Sequence, residues 1–319
     1  DRRGGSLGTQ VQPLARVVGF PVFVASGQAP RFLERFGTWN RKTDIATLRA
    51  QADFNPSIRV IGGDAGSFHL VAPPEVEPGE PFRLSLSVLD SACNAATGYE
   101  SVVELTSRRE ATLPSDVEVA GSYAEVEGCT LHAAGFHRIY AIDPNRGIVG
   151  VSNPIRARKG ARNLYWGELH AHSEQSDGVG TPDEHYTYGR DVALLDFGCV
   201  CDHDLELYQH PDRWRAASER VREYSEDGRF VALLGYEGRL RREDEGLGDI
   251  NVYYRTEAAE MLERFDTPDP IPPELADDPD CIVVPHTPLY GKQETHMGTD
   301  WSLLEGVDPG TMPDRKSVV

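Results

Sequence analysis

The sequence predicts an all-β, sandwich-like domain followed by an α/β domain, and three observations support this division. Residues up to about 157 contain short alternating segments, typical of half-buried strands, separated by turn-forming residues. A basic, polar stretch at 156–162 resembles a linker. Beyond it, apolar segments alternate with helical patterns, as in an α/β fold with a parallel sheet. We therefore assign residues 1–157 and 163–319 to the two domains.

Strands of the first domain are recognised by their alternation. Residues 82–88 alternate apolar and polar side chains and follow a turn-rich entry that contains several prolines. Further short strands are expected at 102–105, 130–133 and 136–142. Strands of this length and spacing indicate a small antiparallel sandwich. The opening region is mixed, and we expect a helical turn at 31–36.

The composition limits the partners of the protein. The 319 residues include 51 acidic and 32 basic side chains, which gives a net charge of −19. Such an excess of acid disfavours binding to nucleic acid and to anionic membranes, and no apolar segment is long enough for a membrane helix. The chain begins at Asp1 rather than methionine, which leaves room for an upstream segment. Cytoplasmic localisation is therefore only a default, and the oligomeric state is open.

The five cysteines form no disulfide framework in the sequence. Cys199, Cys201 and Cys281 lie in apolar segments and are best explained as small buried side chains. Cys93 and Cys129 lie in the first domain, and pairing between them is the alternative if the protein is exported.

The second domain alternates strands with helices. Strands are expected at 164–170, 195–201, 230–234, 250–254 and 281–284, and helices at 181–191, 211–224 and 257–265. Thr181, Pro182 and Glu184 predict a helix start, because threonine caps, proline suits the first helical position and glutamate completes a capping box. Ligands of such folds gather at the carboxyl ends of the strands.

Side chains suited to metal binding recur after these strands. His170 and His172 are one residue apart at the end of the first strand, so both imidazoles are expected on one face. Two converging imidazoles suit zinc, manganese or iron. The other candidates are Asp177, His203, Glu237 and His286. Burying so many ionisable groups at one end of a sheet is costly without a cation, so we predict that these six residues bind metal.

Two further acidic residues and the remaining histidines have other expected roles. Asp202 and Asp204 flank His203 and are expected to orient its imidazole, with direct ligation by one of them as the alternative. His296 lies in a polar loop, where a free surface histidine and a metal ligand are equally consistent with the sequence. Single histidines elsewhere are expected to be hydrogen-bonded structural residues: His69, His132, His137, His185 and His210.

Several motifs resemble those of the PHP (polymerase and histidinol phosphatase) metallohydrolase superfamily. Residues 169–172, 176–178 and 201–203 resemble its first two motifs. The segments that resemble the DUF3604 branch of PHP-like proteins are 152–154, 165–170, 180–182, 195–197 and 235–237. The resemblance covers most of the chain. It implies a distorted β/α barrel with two or three metal ions, the six residues above as ligands, and His296 as a further candidate.

The chain departs from the PHP pattern near its end. That pattern closes with an Asp-x-His pair on a late strand, and no such pair follows Trp301. The second domain also has about 160 residues, fewer than the roughly 200 that a closed barrel needs. We therefore expect an incomplete, C-terminally truncated PHP-like barrel, with residues 314–319 as foreign sequence.

The resemblance implies a hydrolase of phosphate esters or, as in some relatives, of other esters. We therefore predict that the full-length protein hydrolyses a small-molecule ester through a metal-activated water. The alternative is a non-catalytic binding module with a structural or vestigial metal site. A proofreading nuclease of the polymerase type is disfavoured by the excess of acid.

The sequence offers candidates for the proton donor and for contacts with the substrate. No general acid is identified, and His296 is the candidate within the sequence. Three arginines follow Glu237 closely: Arg239, Arg241 and Arg242. We assign them to a solvated loop, with binding of an anionic substrate group as the alternative.

Overall fold

A computed structural model describes residues 16–19, 57–240, 248–262 and 273–286. The chain forms two compact units. Within the described residues, unit 1 contains 16–19, 57–166 and 188–195, and unit 2 contains the others. The first boundary therefore lies a few residues after the basic linker, and segment 188–195 belongs again to unit 1. The helical turn expected at 31–36 lies outside the described residues.

Unit 1 is built from strands. They are β1 (Arg16–Gly19), β2 (Ser57–Val60), β3 (Ser67–Val71), β4 (Glu75–Val76), β5 (Pro81–Leu89), β6 (Glu100–Ser107), β7 (Ala111–Thr112), β8 (Val117–Ala120), β9 (Tyr123–Leu131), β10 (Gly135–His137), β11 (Ile139–Asp143), β12 (Ile148–Ser152) and β13 (Ile155–Ala157). Strands β1 and β2 pair antiparallel. An eight-stranded sheet has the order β7-β9-β5-β3-β12-β11-β6-β8, and a three-stranded sheet has the order β10-β13-β4.

One apolar core joins the two larger sheets of unit 1. Alternation in β5 buries Phe82, Leu84 and Leu86, and β13 contributes Ile155 and Ala157 to the same buried cluster. Complete burial of a leucine side chain contributes roughly 1.5–3 kcal/mol. The pairing is antiparallel except between β3 and β12 and between β4 and β13. Unit 1 therefore has the β-sandwich character that the alternation predicts.

The predicted strands of unit 1 are found with shifted ends. Segments 82–88 and 102–105 lie within β5 and β6, whereas the strand expected at 130–133 ends at Leu131. The strand expected at 136–142 is interrupted at Arg138. The interruption occurs because the chain passes there from the three-stranded sheet to the eight-stranded sheet.

All five cysteines are free. Cys129 is fully buried in the core of unit 1, whereas Cys93 is exposed in a turn with a φ angle of 63°. The alternative of a disulfide between them is therefore wrong. Cys199 and Cys201 are buried as the sequence predicts, and they pack with Tyr253 in a small apolar cluster.

Unit 2 contains one five-stranded sheet and short helices. The strands are β14 (Gly167–Ala171), β15 (Phe197–Val200), β16 (Val231–Leu240), β17 (Gly248–Tyr254) and β18 (Cys281–Pro285). The helices are α1 (Pro182–Thr187), α2 (Asp204–Gln209), α3 (Pro211–Tyr224) and α4 (Pro273–Ala276). A π-helical turn, Tyr188–Val192, follows α1 and belongs to unit 1. None of the described helices could cross a membrane, since they are too short or too polar.

The sheet of unit 2 is mixed, so the expectation of a parallel sheet is only partly right. Strands β14, β15 and β16 are parallel neighbours, whereas β17 is antiparallel to both β16 and β18. Only residues 241–247 join β16 to β17, and a parallel connection needs about a dozen residues or more. Strand β18 consequently runs in the same direction as β14, β15 and β16. Four carboxyl ends therefore lie at one edge of the sheet.

The start of α1 has the predicted capping box. The Glu184 amide donates to Thr181 Oγ1 at 3.1 Å, and the Thr181 amide donates to Glu184 Oε2 at 2.9 Å. These two bonds satisfy amides that a helix start leaves without partners. The α-helix ends earlier than expected, at Thr187, and the π-helical turn continues it. Helix α3 has the predicted bounds.

The helix expected at 257–265 is wrong over its described part, residues 257–262, which are not helical. The Ala259 carbonyl accepts a hydrogen bond from Trp214 Nε1 at 2.8 Å. The Glu260 carbonyl accepts one from the Tyr254 hydroxyl at 3.4 Å. Side chains of the packed core therefore bind carbonyl groups that a helix would use for its own backbone.

Candidate metal centre

The candidate ligands of unit 2 meet at the carboxyl ends of four strands. His170 lies in β14, His172 follows it, and Glu237 lies in β16. His203 and Glu237 form an isolated parallel bridge, and the Glu237 amide donates to the Asp202 carbonyl at 3.0 Å. His286 follows β18, and its amide donates to the carbonyl of Asp249 at 2.8 Å. The register of the sheet therefore brings together residues that are far apart in the sequence.

Glu237 is the centre of the cluster. Its Oε2 atom lies 2.9 Å from His172 Nε2, 3.3 Å from His170 Nε2 and 3.8 Å from His203 Nδ1. Its other oxygen, Oε1, lies 3.8 Å from His286 Nε2. Four imidazoles therefore surround one buried carboxylate, whose residue is 4% exposed.

A second group of ligand atoms lies beside the first. Asp177 Oδ1 is 3.1 Å from His172 Nδ1, and Asp177 Oδ2 is 3.5 Å from His203 Nε2. His172 thus presents one nitrogen to Glu237 and the other to Asp177. The two groups with metal-ligand spacing are His170, His172 and Glu237, and His172, Asp177 and His203.

The separations between ligand atoms match those around a single ion. Bonds of about 2.0–2.1 Å at tetrahedral angles put the ligand atoms about 3.3 Å apart. In the first group the Nε2 atoms of His170 and His172 are 2.9 Å apart, and each lies 2.9–3.3 Å from Oε2 of Glu237. Two imidazole nitrogens at that distance are stabilised by a proton or a cation between them. The donor set therefore fits a divalent transition metal.

The charge on Glu237 is strongly favoured. Burial alone would raise the pKa of its carboxyl group, but hydrogen bonds from His170 and His172 hold that pKa well below its usual range. The charges of His203 and His286 act in the same direction. Glu237 is therefore an anion at neutral pH, as a metal ligand must be.

The histidines respond to this anion in different ways. Burial opposes protonation of His170, but Cys201 and Glu237 outweigh it and raise the pKa of His170 to about 9. The pKa of His172 is also raised, because Glu237 and Asp177 outweigh burial. Burial prevails at His286, whose pKa is lowered. Without a cation, the cluster therefore holds protons that a metal ion would displace.

Asp202 has a different role from the one that its position beside His203 predicts. Its carboxylate accepts hydrogen bonds from the Ser173 amide at 2.7 Å, the Ser173 hydroxyl at 2.6 Å and the Ser176 hydroxyl at 2.5 Å. Ser176 Oγ also lies 3.3 Å from His172 Nδ1. Asp202 therefore fixes the loop after β14, which carries Asp177, rather than the imidazole of His203.

Asn251 is a polar residue of the site that the sequence pattern did not single out. It is buried in β17, where its Oδ1 atom lies 3.8 Å from the Cys201 thiol and its Nδ2 atom lies 3.5 Å from His286 Nδ1. The ring of His286 stacks on that of His170 with the centroids 4.3 Å apart. A single amide within the apolar run from Ile250 to Tyr254 is the sequence signal that could have identified it.

Gly178 allows the loop after β14 to approach the site. A Cβ atom at this position would lie 2.0 Å from the carbonyl oxygen of His172, a distance that no side chain tolerates. Gly178 therefore permits the close approach that places Asp177 beside His172 and His203.

Most histidines outside the cluster have other partners. His69, His137 and His185 bond to the carbonyls of Ala193, Ala133 and Val179, and His132 contacts the Thr112 hydroxyl. His210 lies between α2 and α3. These contacts agree with the structural roles expected for isolated histidines. Four candidate residues are not placed at the site: His296, Arg241 and Arg242 lie outside the described residues, and the Arg239 side chain is not described.

Comparison with other sequences gives distant relatives of unestablished function. No family model matches the chain. An uncharacterized protein of Chlamydia pneumoniae is 29% identical over 104 residues, which are 32% of this chain and 17% of the relative. An uncharacterized protein of Chlamydia trachomatis is 26% identical over 117 residues, which are 36% of this chain and 19% of the relative. The matched region thus spans less than a fifth of these relatives.

Comparison with solved structures finds short β domains. A PKD domain of an M14-like peptidase from a Thermoplasmatales archaeon shares 9% identity with a TM-score of 0.17, covering 32% of this chain and 97% of that domain. A CARDB domain from Pyrococcus furiosus, solved in complex with di-metal ions, shares 12% identity with a TM-score of 0.19, covering 29% and 93%.

Proposed function

We propose that the protein is a metal-dependent hydrolase that acts on a small-molecule phosphate or other ester. The six ligands would be His170, His172, Asp177, His203, Glu237 and His286, and the ions would be two or three zinc, manganese or iron ions. The observation that carries the proposal is the convergence of four imidazoles on the buried carboxylate of Glu237. Such a group of ionisable side chains is costly to bury without a compensating charge.

Different residues of the chain would have different roles in metal binding. Glu237 has one oxygen near three imidazoles and the other near His286, so this carboxylate would be able to contribute to binding more than one ion. Asp177 and His203 provide the second group of donors. Asp202, through Ser173 and Ser176, keeps the Asp177 loop in place. Orientation of ligands by surrounding hydrogen bonds is typical of metal sites.

Hydrolysis is the chemistry that such a centre supports best. Divalent ions in a site of this kind supply an attacking water with a lowered pKa and neutralise charge on the ester oxygen. Within the described residues, His170 and His172 would release protons as the site is loaded, and Glu237 would remain charged throughout. His296 is the sequence candidate for protonating the leaving group.

The resemblance to the PHP superfamily, and to its DUF3604 branch, supports the same proposal. Its motifs contain His170, His172 and His203, which cluster around Glu237, and Asp177, which lies beside His172 and His203. We extend the proposal to the fold and suggest that unit 2 is PHP-like, with five strands in its described part. We propose the same ester hydrolysis for longer proteins that contain this metal-binding region.

Metal content is the first test. Elemental analysis of the purified chain is expected to give two or three transition-metal ions per chain. A His170→Ala, His172→Ala double variant is expected to retain less than one. His132→Ala is the matched control, because His132 is exposed in unit 1, where its side chain contacts the Thr112 hydroxyl. Less than one ion per chain in the unaltered protein would overturn the proposal.

Turnover is the second test, and it separates the hydrolase from a binding module. Hydrolysis of p-nitrophenyl phosphate or p-nitrophenyl acetate should stop after chelation and return when zinc, manganese or iron is added. The His132→Ala control should keep its activity, and the double variant should lose it. Two or more bound ions with no turnover of either ester class would leave only the non-catalytic binding module.

A further inference from the structure

Unit 1 contains a cleft, lined by arginines and aromatic residues, that the proposed hydrolase does not use. The cleft has a volume of about 330 Å³ and lies where the chain passes from β10 to β11. Three arginines line it: Arg108, Arg109 and Arg138. Phe136, His137 and Tyr140 form apolar and aromatic walls. Clefts of this size accommodate small molecules.

Carbonyl groups and an aromatic ring are the contacts of the cleft arginines. Arg109 donates to the carbonyls of Phe136 and Ala134 at 3.1 and 3.0 Å, and Arg138 donates to the carbonyl of Ser152 at 2.8 Å. Arg108 lies over the ring of Tyr140 at 5.4 Å. Within the described part of the chain, no carboxylate is within 4 Å of these three guanidinium groups, in a protein whose net charge is −19.

A neighbouring arginine shows the contrast. Arg156 also approaches the cleft wall, with its guanidinium 6.0 Å from the centre of the Phe136 ring, but it pairs with Glu75 at 3.7 Å. Glu75 also pairs with Arg158 at 2.9 Å. These two arginines outside the cleft thus share a carboxylate, whereas the three within it contact carbonyls and a ring among the residues that the structure describes.

We infer that this cleft binds a small organic phosphate, with the phosphoryl group on the arginines and the apolar part against Phe136. Guanidinium groups bind phosphate oxygens in pairs of hydrogen bonds, and three of them suit a dianion better than a monoanion. Phe136 is 66% exposed, so much of its ring is open to a ligand although Arg156 lies over one part of it. The acidic remainder of the protein would repel a long polyanion, which favours a ligand that ends within the cleft.

Calorimetric titration of the full chain with phenyl phosphate tests the inference. The protein is first stripped of metal and then freed of chelator, because a chelator is itself an anion. Phenyl phosphate is expected to bind more tightly than inorganic phosphate, phenyl sulfate or benzoate, and its affinity is expected to fall as sodium chloride is raised. Equal binding of phenyl sulfate and benzoate, or no binding of phenyl phosphate, would overturn the inference.

Variants identify the groups that bind. Arg108→Gln removes a guanidinium that lies over the Tyr140 ring, and it is expected to weaken phenyl phosphate binding about tenfold. Phe136→Ala is expected to reduce the preference for phenyl phosphate over inorganic phosphate about threefold or more. Lys159→Gln removes an equal charge from a turn outside the cleft and should have no effect. Binding that is unchanged in Arg108→Gln would contradict the site.

Two further titrations distinguish the cleft from the metal centre and from a peptide-binding surface. The His170→Ala, His172→Ala variant should bind phenyl phosphate as the unaltered chain does, so the cleft and the metal centre succeed or fail independently. Oligoglutamate should bind more weakly than phenyl phosphate. If oligoglutamate binds more tightly and competes, the cleft is a docking site for an acidic peptide and the inference is wrong.

Discussion

The hydroxyl of Ser176 lies 2.5 Å from Oδ1 of Asp202, which stands 26 positions later in the sequence. This contact joins the loop after β14 to the end of β15. Because Ser176 also contacts His172 and precedes Asp177, the position of two candidate ligands depends on Asp202. The metal centre therefore relies on an acid that does not itself point to a histidine.

Asp202→Asn tests this dependence. The substitution leaves one acceptor oxygen for the three donors of Ser173 and Ser176. We expect the free energy of unfolding to fall by about 1–3 kcal/mol and the metal affinity to fall about 10–100-fold. Chemical denaturation and metal titration measure the two effects. Asp227→Asn, in an exposed turn, is the control, and equal metal affinity in both variants would refute the role of Asp202.

Gly178→Ala tests the approach of the Asp177 loop. A methyl group at this position collides with the carbonyl of His172, so the loop must move and withdraw Asp177 from the site. We expect a loss of metal affinity of at least about tenfold, measured by titration. Gly66→Ala is the matched control, because a Cβ atom there meets its neighbours at ordinary distances of 3.7–3.8 Å. Unchanged metal binding in Gly178→Ala would mean that Asp177 is not a ligand.

Metal affinity is expected to rise with pH. Burial opposes protonation of His170, but Cys201 and Glu237 raise its pKa to about 9, so a proton competes with the metal at neutral pH. Apparent affinity for manganese should increase by up to about tenfold per pH unit between about pH 6.5 and 8.5.

The folding stability of the metal-free protein should instead fall as the pH rises. A raised pKa means that protonated His170 stabilises the folded state fully below pH 6.5, and that this contribution is lost as the pH rises through 9. Denaturation of the stripped protein at several pH values measures the trend. For the loaded protein, a manganese affinity that stays constant between about pH 6.5 and 8.5 would show that no proton on His170 competes with the metal.

The lowered pKa of Asp90 predicts that unit 1 loses stability in acid. Burial opposes its ionisation, but amide groups of Gly63, Ala92 and Asn94 at 2.8–2.9 Å lower its pKa to about 2. The stabilisation from a lowered pKa is present above the ordinary value of 3.8 and is lost as the pH falls through 2. Asp90→Asn should therefore be less stable than the unaltered chain at about pH 5.

The same comparison at low pH gives the check on Asp90. As the unaltered chain protonates Asp90, its advantage over Asp90→Asn in denaturant unfolding should shrink between pH 3.8 and pH 2. A difference in unfolding free energy that is constant from about pH 5 to about pH 2 would show that the carboxylate is not held in its charged form.

Local features of the fold were predictable because they depend on neighbouring residues. The capping box of Thr181 and Glu184 follows from a three-residue spacing, and both of its hydrogen bonds are present. The alternation in β5 likewise shows which residues enter the core. The candidate ligands could be selected because each follows an apolar run, and the sheet brings them to one edge.

Features that depend on distant residues were not predictable from local pattern. The direction of β17 is set by its connection rather than by its own apolar residues, which look alike in either direction. The non-helical course of 257–262 depends on Trp214 and Tyr254, which bind its carbonyls from other parts of unit 2. The role of Asp202 depends on Ser173 and Ser176, and proximity in sequence pointed instead to His203.

The proposed metal ligands come from four strands, and this has a consequence for biosynthesis. His170 and His172 leave the ribosome early in the translation of unit 2, whereas Glu237 and then His286 follow much later. The nascent chain consequently exposes a pair of imidazoles before their shared carboxylate exists. The full set of proposed ligands forms only once His286 has cleared the exit tunnel, so the proposed metal binding would belong to a late stage of maturation.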